Sequence, residues 1–329
     1  MASEEHLKIF PKSSRLRVVK PFDPWRSPLC TCPMKWVVHP YTGCAHGCVY
    51  CYASNYIPKH SIPRPKRDLV SSILKDLRVL PRGILVELST SSDPYTYPEN
   101  DLKLTRRVLQ ILLESDMRVL ITTKSGFILR DLDILSKFRD RVAIAITVTT
   151  PSDALSHVLE PGAPPSSERL KAMEILSKHG IAVTLRLDPI IPMVNDDYNE
   201  IQSLIKAAAR AGALQITTST YKAKPLDFRR VYAVTKLLRG SNAAENLKHL
   251  YYGDAKSTTI EGYRYLQEGL RLSYVKLVKE VAESEGLAFA TCREGFAHLH
   301  TPGIACDGSS YTYNLNSSEP IPTSFPPRV

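Results

Sequence analysis

The sequence predicts an α/β protein built as an incomplete, open (β/α)6 barrel of the TIM-like kind. Short, nearly continuous apolar runs alternate with amphipathic stretches of roughly 10–15 residues, the mark of a parallel sheet covered by helices. About six such units are present, too few for a closed eight-unit barrel of roughly 250 residues. Polar clusters follow the apolar runs, "STSSDPY", "TKS", "TVTT" and "RLDPIIP" among them. In such folds the loops after the C-terminal strand ends share one functional mouth. A doubly wound open sheet is the second architecture this pattern allows.

The elements follow in order. "KWVV" (35–38) opens the sheet, and "RDLVSSILKDLRVL" places Leu69, Val70, Ile73, Leu74 and Leu77 on one helical face. Pro81 and Gly83 interrupt before the buried strand "ILVEL" (84–88). The helix "LTRRVLQILLES" leads to the strand "RVLITTK" (118–124), and "LRDLDILSKF" to "RVAIAITVTT" (141–150). "SSERLKAMEILSKHG" begins with a capping serine and stops at Gly180, as a bounded helix does. "IAVTLRLDPIIP" (181–192), the cap-like "NDD", the helix "YNEIQSLIKAAARAG" and the strand "ALQITTST" (213–220) complete the units. Helical patterns dominate from 226 to 286, and the Pro/Ser-rich end reads as irregular. Three segments result: a basic N-terminal extension (1–34), the core barrel (35–225), and a helical C-terminal region (226–329) with a cysteine-containing segment and an irregular tail.

With 43% hydrophobic residues and interleaved charges, the 329-residue chain can bury a substantial core. No run of eighteen apolar residues is present, which argues against a membrane span. The first twenty residues lack an apolar signal core, so the expected location is cytoplasmic. The net charge of +10 is concentrated early: residues 1–67 hold eleven lysines and arginines against Glu4, Glu5 and Asp23. A clustered basic region suits a phosphate-rich partner, and a solvated basic surface is the alternative.

Seven cysteines without a signal peptide point to metal or catalysis before disulfides. Three of them crowd into "TGCAHGCVYC": Cys44, Cys48 and Cys51, spaced C-x3-C-x2-C. A cubane iron–sulfur cluster usually takes four thiolates, so three leave one iron with an open position, which chemistry at a metal requires. A zinc site with a distant fourth ligand and buried structural cysteines are the alternatives. Zinc loops favour paired C-x2-C units, and only Cys48 and Cys51 make one.

This loop, with Tyr50 just before its last cysteine, resembles the cluster motif of the radical S-adenosylmethionine (radical SAM) enzymes. "PYTGCAHGCVYCYA", "STSSDPYTYPEN", "LEPGAPPSSERLKAMEIL" and "RLDPIIP" further resemble the spore photoproduct lyase-like branch, also called DNA-photolyase-like. The resemblance implies an enzyme with a 4Fe–4S cluster that chelates S-adenosylmethionine. One electron, from a reductant such as ferredoxin or flavodoxin, cleaves it to methionine and a 5′-deoxyadenosyl radical, which abstracts hydrogen from a substrate. It also implies roles for residues. Tyr50 packs near the adenine; Ser91, Ser92 and Asp93 lie where the family binds the methionine amino group; Lys124 suits its carboxylate. Thr147, Thr149 and Arg186 are candidates for ribose or carboxylate contacts. A core tyrosine, a capping aspartate and a solvated lysine are the corresponding structural alternatives. Tyr50 and Tyr52 resemble the lyase's "YCY" arrangement and are candidate radical relays. One departure matters: "ELSTSSDPY" holds no thiol where a true spore photoproduct lyase keeps its hydrogen-donating cysteine. That counts against repair of spore photoproduct itself.

Cys30 and Cys32 before the first strand, with Cys292 and Cys306 after the last helices, supply four more thiolates. They suffice for a second iron–sulfur cluster or a zinc site; free buried cysteines or disulfides are the alternatives. For function, the expected substrate is a nucleic acid base or lesion. "YIPKHSIPRPKR" and "YKAKPLDFRR" supply cations, and Tyr56, Tyr221 and Phe228 supply rings for stacking. A peptide or small-molecule substrate, and a non-catalytic zinc-stabilised nucleic-acid-binding protein, are the competing readings.

Overall fold

The computed structural model describes residues 16–22 and 27–313. Lys8, Lys12, Arg15, Arg26 and the irregular tail beyond 313 lie outside the described residues. Twelve strands are described: β1 (Lys20–Pro21), β2 (Trp36–Val38), β3 (Tyr41–Thr42), β4 (Arg64–Pro65), β5 (Leu85–Leu88), β6 (Arg118–Thr123), β7 (Val142–Thr147), β8 (Ala182–Ile190), β9 (Gln215–Thr220), β10 (Thr258–Ile260), β11 (Tyr263–Tyr265) and β12 (Ala288–Thr291). The helices are α1 (Leu69–Leu77), α2 (Glu99–Leu102), α3 (Leu104–Glu114), α4 (Leu132–Lys137), α5 (Asp153–Leu159), α6 (Ser166–Lys178), α7 (Tyr198–Arg210), α8 (Pro225–Arg239), α9 (Ser241–Lys248) and α10 (Glu268–Ser284).

The main sheet runs in the order β1-β2-β5-β6-β7-β8-β9-β12. Its neighbours from β2 to β12 pair in parallel, while β1 adds an antiparallel edge. All six expected parallel strands are present, and β12 is a seventh. Among the described residues no pairing joins β12 to β1 or β2, so the barrel is open, as six units require.

Strand periodicity sorts the side chains between two environments. Along β7, Val142, Ile144 and Ile146 join the large core with Leu109, Leu112, Leu113, Met173 and Leu176 of the helices. Alternate residues face the other way: Ala143 and Ala145 cluster with Leu85, Leu120 and Tyr311. A β-strand reverses its side chains at every step, so one run serves an outer greasy layer and an inner layer of small or polar groups. The inner layer continues as Glu87, Thr122, Thr184, Arg186 and Thr217.

Caps set the helix ends. Asp197 accepts the Glu200 backbone N–H at 3.0 Å and starts α7, as the "NDD" sequence predicts. At α6 the capping residue is Pro165, not a serine; Ser166 is already helical. On α1 the buried positions are Leu69, Ile73 and Asp76, while Leu74 is exposed. Asp76 is buried because its carboxylate accepts backbone N–H bonds from Arg17, Val18 and Val19, fastening the N-terminal arm to the barrel.

The gap between the sheet edges is filled by chain rather than by strands. Lys35 pairs with Glu87 on β5 at 2.6 Å and with Asp307 at 2.5 Å. Gln215 and Thr217 of β9 donate to the carbonyls of Ala305 and Cys306 at 3.0 and 2.7 Å. Gly308 lies so close to Thr184 that a Cβ would fall 2.9 Å from its hydroxyl oxygen, and its φ of +86° also favours glycine. Residues 305–308 thus bridge the inner faces of β5, β8 and β9. Among the described residues no helix is long and apolar enough to cross a membrane.

Candidate active site

The three-cysteine loop leaves β3 and lies at the C-terminal mouth of the barrel. Gly43, at φ +87°, passes the 58–62 turn so tightly that a Cβ would meet the His60 carbonyl oxygen at 2.6 Å. The Cys44 N–H donates to that same oxygen at 2.7 Å. On its other side the loop is clasped by the segment after α5. Val49 N–H donates to Leu159 O at 2.9 Å, and Gly162 N–H to His46 O at 2.9 Å. A Cβ on Gly162 would sit 2.2 Å from the Ala45 carbonyl oxygen, so only glycine permits this approach.

A buried ionic group completes the clasp. The Tyr50 hydroxyl donates to Glu160, and Arg169 pairs with the same carboxylate; neither charged side chain meets solvent. Arg169 also donates to the carbonyl oxygens of Thr147 (3.2 Å) and Pro164 (2.8 Å), and the Thr149 hydroxyl to Glu160 at 3.3 Å. Burial alone would raise the Glu160 carboxyl, but Arg169 and Lys124 outweigh it and hold it below its usual range. Burial and the Glu160 charge push the Tyr50 phenol far up, so it stays protonated.

Lys124, just after β6, is the cation of the site. Burial would discharge it; the facing Cys48 and Glu160 overcome that and raise it, so it stays an ammonium. Its Nζ lies 5.7 Å from the Tyr50 ring centre and has no hydrogen-bond acceptor among the described residues. Burial would also raise Cys44, yet His46 beside it outweighs burial and holds the thiol below its ordinary value, which favours thiolate ligation. Cys48 and Cys51 are pushed up, chiefly by burial. The donor set fits an iron–sulfur cluster: three thiols, glycine backbone beside them, and a partly buried cation facing Cys48.

The other predicted residues lie at the same mouth with partners of their own. Asp93 accepts the backbone N–H groups of Tyr95 (2.9 Å) and Lys124 (2.7 Å) and the Thr123 hydroxyl (2.8 Å), and faces His46 Nδ1 at 3.5 Å. It ties the ends of β5 and β6 to the cysteine loop. Ser92 donates to Tyr41 O at 3.0 Å, and Ser91 Oγ contacts His39 Nε2 at 3.2 Å. Tyr52 donates to Thr90 O at 2.9 Å. Thr147 and Thr149 are buried beside the Glu160–Arg169 pair. Arg186 pairs with Asp188 at 2.6 Å and reaches toward Cys292. Glu160, Arg169 and Gly162 were not assigned roles from the sequence, although all lie in the "LEPGAPPSSERL" stretch. Their function depends on packing against a loop over a hundred residues earlier, which local pattern does not reveal. A cleft of about 480 Å³ flanks the outer side of the loop, lined by His46, Tyr95, Tyr97, Gly126, Arg130 and Glu168 among others.

Two of the rings expected to stack on bases are buried. Tyr221 is 2% exposed and donates to Asp227 at 2.6 Å; Phe228 packs in the C-terminal core against Tyr251 and Tyr252. Tyr56, at 42% exposed, remains at the surface. It lies 6.1 Å from Tyr52, which lies 6.4 Å from Tyr263. Lys224 and Arg293 stand over the Tyr263 ring at 4.1 and 4.8 Å.

An open parallel barrel with a three-cysteine loop at its mouth defines a class of enzymes that load a metal cluster beside a cosubstrate. The Radical SAM superfamily model matches residues 38–206, half of the chain, and the chain belongs to that superfamily. It is an enzyme, which sets aside the non-catalytic zinc reading, and its family implies S-adenosylmethionine and an iron–sulfur cluster. Among relatives, an uncharacterized protein of Acidianus two-tailed virus is 28% identical over 201 residues, 55% of this chain and 65% of that one. A "Radical SAM Nalpha-GlyT isomerase" of Pseudomonas phage M6 is 21% identical over 269 residues, 78% of this chain and 53% of that one. The chain therefore spans less than two thirds of these relatives. Among solved structures, a spore photoproduct lyase mutant with bound AdoMet and dinucleoside spore photoproduct superposes with a TM-score of 0.58 at 14% identity, covering 78% of this chain and 75% of that one. Streptococcus suis SuiB bound to precursor peptide SuiA gives 0.51 at 14% identity, covering 84% and 54%. These likenesses are likenesses of fold.

Proposed function

We propose that the chain is a radical SAM enzyme whose Cys44, Cys48 and Cys51 hold a 4Fe–4S cluster and whose substrate is a nucleic acid base or lesion. The observation that carries the cofactor half is the partly buried Lys124 ammonium facing the cysteine loop without a hydrogen-bond acceptor of its own among the described residues. A lysine placed so is a point charge awaiting a carboxylate, and S-adenosylmethionine carries one. When bound, the cluster and S-adenosylmethionine supply reductive C–S cleavage and a 5′-deoxyadenosyl radical that removes a hydrogen atom from substrate. The protein's part is placement. Glu160 and Arg169 fix the Tyr50 ring, Gly43 and Gly162 let two neighbouring turns close on the loop, and Asp93 holds the β5 and β6 ends against it. The remaining predicted contacts from Ser91, Ser92, Thr147, Thr149 and Arg186 are proposed as secondary, since most already engage protein groups.

The substrate half rests on the mouth's rim. Tyr56, exposed, and Tyr52 come from one segment and lie beside Tyr263, a buried ring covered by Lys224 and Arg293, and Arg264 lies 5.5 Å from the ring of the exposed Tyr252. Rings take bases by stacking while cations take phosphates. A peptide would not need that pairing. The fold neighbour solved with a dinucleoside lesion agrees in kind. Single strands and loops suit the site best, because a base within a duplex must first be extruded. The test is binding of single-stranded DNA and RNA across a salt series. Each phosphate contact should steepen the fall of log affinity against log salt by about 0.7, and Lys224→Ala with Arg264→Ala should flatten it. A salt-independent or absent interaction removes the nucleic-acid substrate and leaves a peptide or small molecule.

A further inference from the structure

One turn grips the cysteine loop near both of its ends. The loop leaves β3 and the chain returns along β4, where Thr42 pairs with Arg64, so residues 43–63 form one closed excursion. Within it, residues 58–62 make a tight turn. Ile62 N–H donates to Lys59 O at 3.0 Å, and the Arg64 guanidinium donates to the carbonyl oxygens of Pro58, Lys59 and Ile62 at 3.1, 3.2 and 3.1 Å. Lys59 is held at φ +52°, a left-handed conformation uncommon for a residue with a side chain. Backbone held against its preference persists where the surroundings over-determine it, and such places cluster at functional sites. What this turn presents is His60. Its carbonyl accepts the Cys44 N–H, and its ring reaches the other end of the loop: Nε2 lies 3.7 Å from Cys51 Sγ and 3.4 Å from Ser91 O.

On the reading of Cys44, Cys48 and Cys51 as cluster ligands, we propose that His60 is a positioning residue that donates its Nε2–H to the Cys51 sulfur and so raises the reduction potential of the cluster. The direction of this bond follows from Ser91. A carbonyl oxygen only accepts, so the nitrogen facing it carries the hydrogen, and Cys51 Sγ, facing the same nitrogen, is an acceptor too. The direction is the same for a neutral and for a protonated ring, since both nitrogens of the protonated ring donate. A ligating thiolate has no proton to give, which agrees with it. Hydrogen bonds to the sulfurs are among the features that set a cluster's potential. Reduction adds negative charge, and a donor binds an acceptor more strongly as that charge grows, so the bond favours the reduced form. One residue thus clasps the loop by its backbone at Cys44 and tunes it by its ring at Cys51.

The experiment is a redox titration followed by electron paramagnetic resonance, on the full chain loaded with iron and sulfide without oxygen. Native protein is compared with His60→Leu, His60→Phe and His60→Gln, all of which keep the backbone carbonyl that accepts Cys44. His60→Leu and His60→Phe remove the ring N–H and should shift the midpoint to a more negative potential, whatever iron content they reach. His60→Gln returns an N–H near the place of Nε2 and should lie closer to the native value. His60→Phe keeps a ring in the turn, so the comparison stands if His60→Leu unsettles the loop. A purely structural role would lower the iron content and leave the potential of the assembled cluster where it is. A native midpoint in the apolar variants that load overturns the proposal, and so does a shift in His60→Gln as large as theirs. A native chain that takes up no iron fails earlier, and it overturns the cluster reading together with the role of His60.

Discussion

At the scale of single residues, the most consequential group is Glu160. It is a carboxylate without solvent, and three neighbours share its charge: Arg169, the Tyr50 hydroxyl and the Thr149 hydroxyl. Removing one partner of a buried ion pair strands the other, at a cost of about 3–5 kcal/mol. Glu160→Gln keeps the shape and removes the charge, so it should lower unfolding stability by about that amount and release the Tyr50 ring. Glu160→Gln combined with Arg169→Met should recover part of the loss, because no bare charge remains. Denaturant unfolding of the two variants is the check. A loss under about 1 kcal/mol, the range of an exposed pair, would mean the carboxylate does not hold the loop.

At the scale of elements, two strand ends meet through a histidine. His39, just past β2, accepts the Thr90 N–H through Nε2 at 3.2 Å, joining the end of β2 to that of β5. Burial, helped by the charge of Lys66, pushes its imidazole down to about 4 from an ordinary 6.5. The folded value is depressed, so the contribution to stability is whole above pH 6.5 and is lost as pH falls toward 4. Between neutral pH and about pH 5 the loss should be about 2 kcal/mol. His39→Gln keeps an acceptor but cannot charge, so its unfolding free energy should fall less over that interval. Equal falls in both proteins would remove His39 as the source.

The elements also show what sequence alone conveys. β5 to β9 were legible because each is a compact apolar run, and their alternation reported both faces of the sheet. β12 was not: "AFAT" is four residues at the end of a helical region, and it becomes a strand only because β9 offers a parallel edge. The cysteine loop was legible because its chemistry is local. Its brace was not, since Gly162 and Glu160 gain meaning only from contact with Ala45 and Tyr50. Tyr221 and Phe228 misled for the converse reason: aromatic residues among lysines and arginines look like a binding face, yet helix α8 turns its apolar side to the C-terminal core.

At the scale of the whole molecule, an open barrel separates two tasks. Its mouth gathers a thiol loop, a partly buried lysine and a rim of rings and cations. Its open side brings the chain's two ends together, through the Cys32–Cys306 contact at 3.6 Å and the Lys35–Glu87–Asp307 group. The central proposal is that Cys44, Cys48 and Cys51 act together as the ligands of an iron–sulfur cluster at which S-adenosylmethionine would bind, beside Lys124. The most direct measurement is 5′-deoxyadenosine released from S-adenosylmethionine by anaerobic, chemically reduced protein, for the native chain and for Cys48→Ala. The native chain should form it and Cys48→Ala should not, even with Cys30, Cys32, Cys292 and Cys306 intact. Undiminished release by Cys48→Ala would contradict the account.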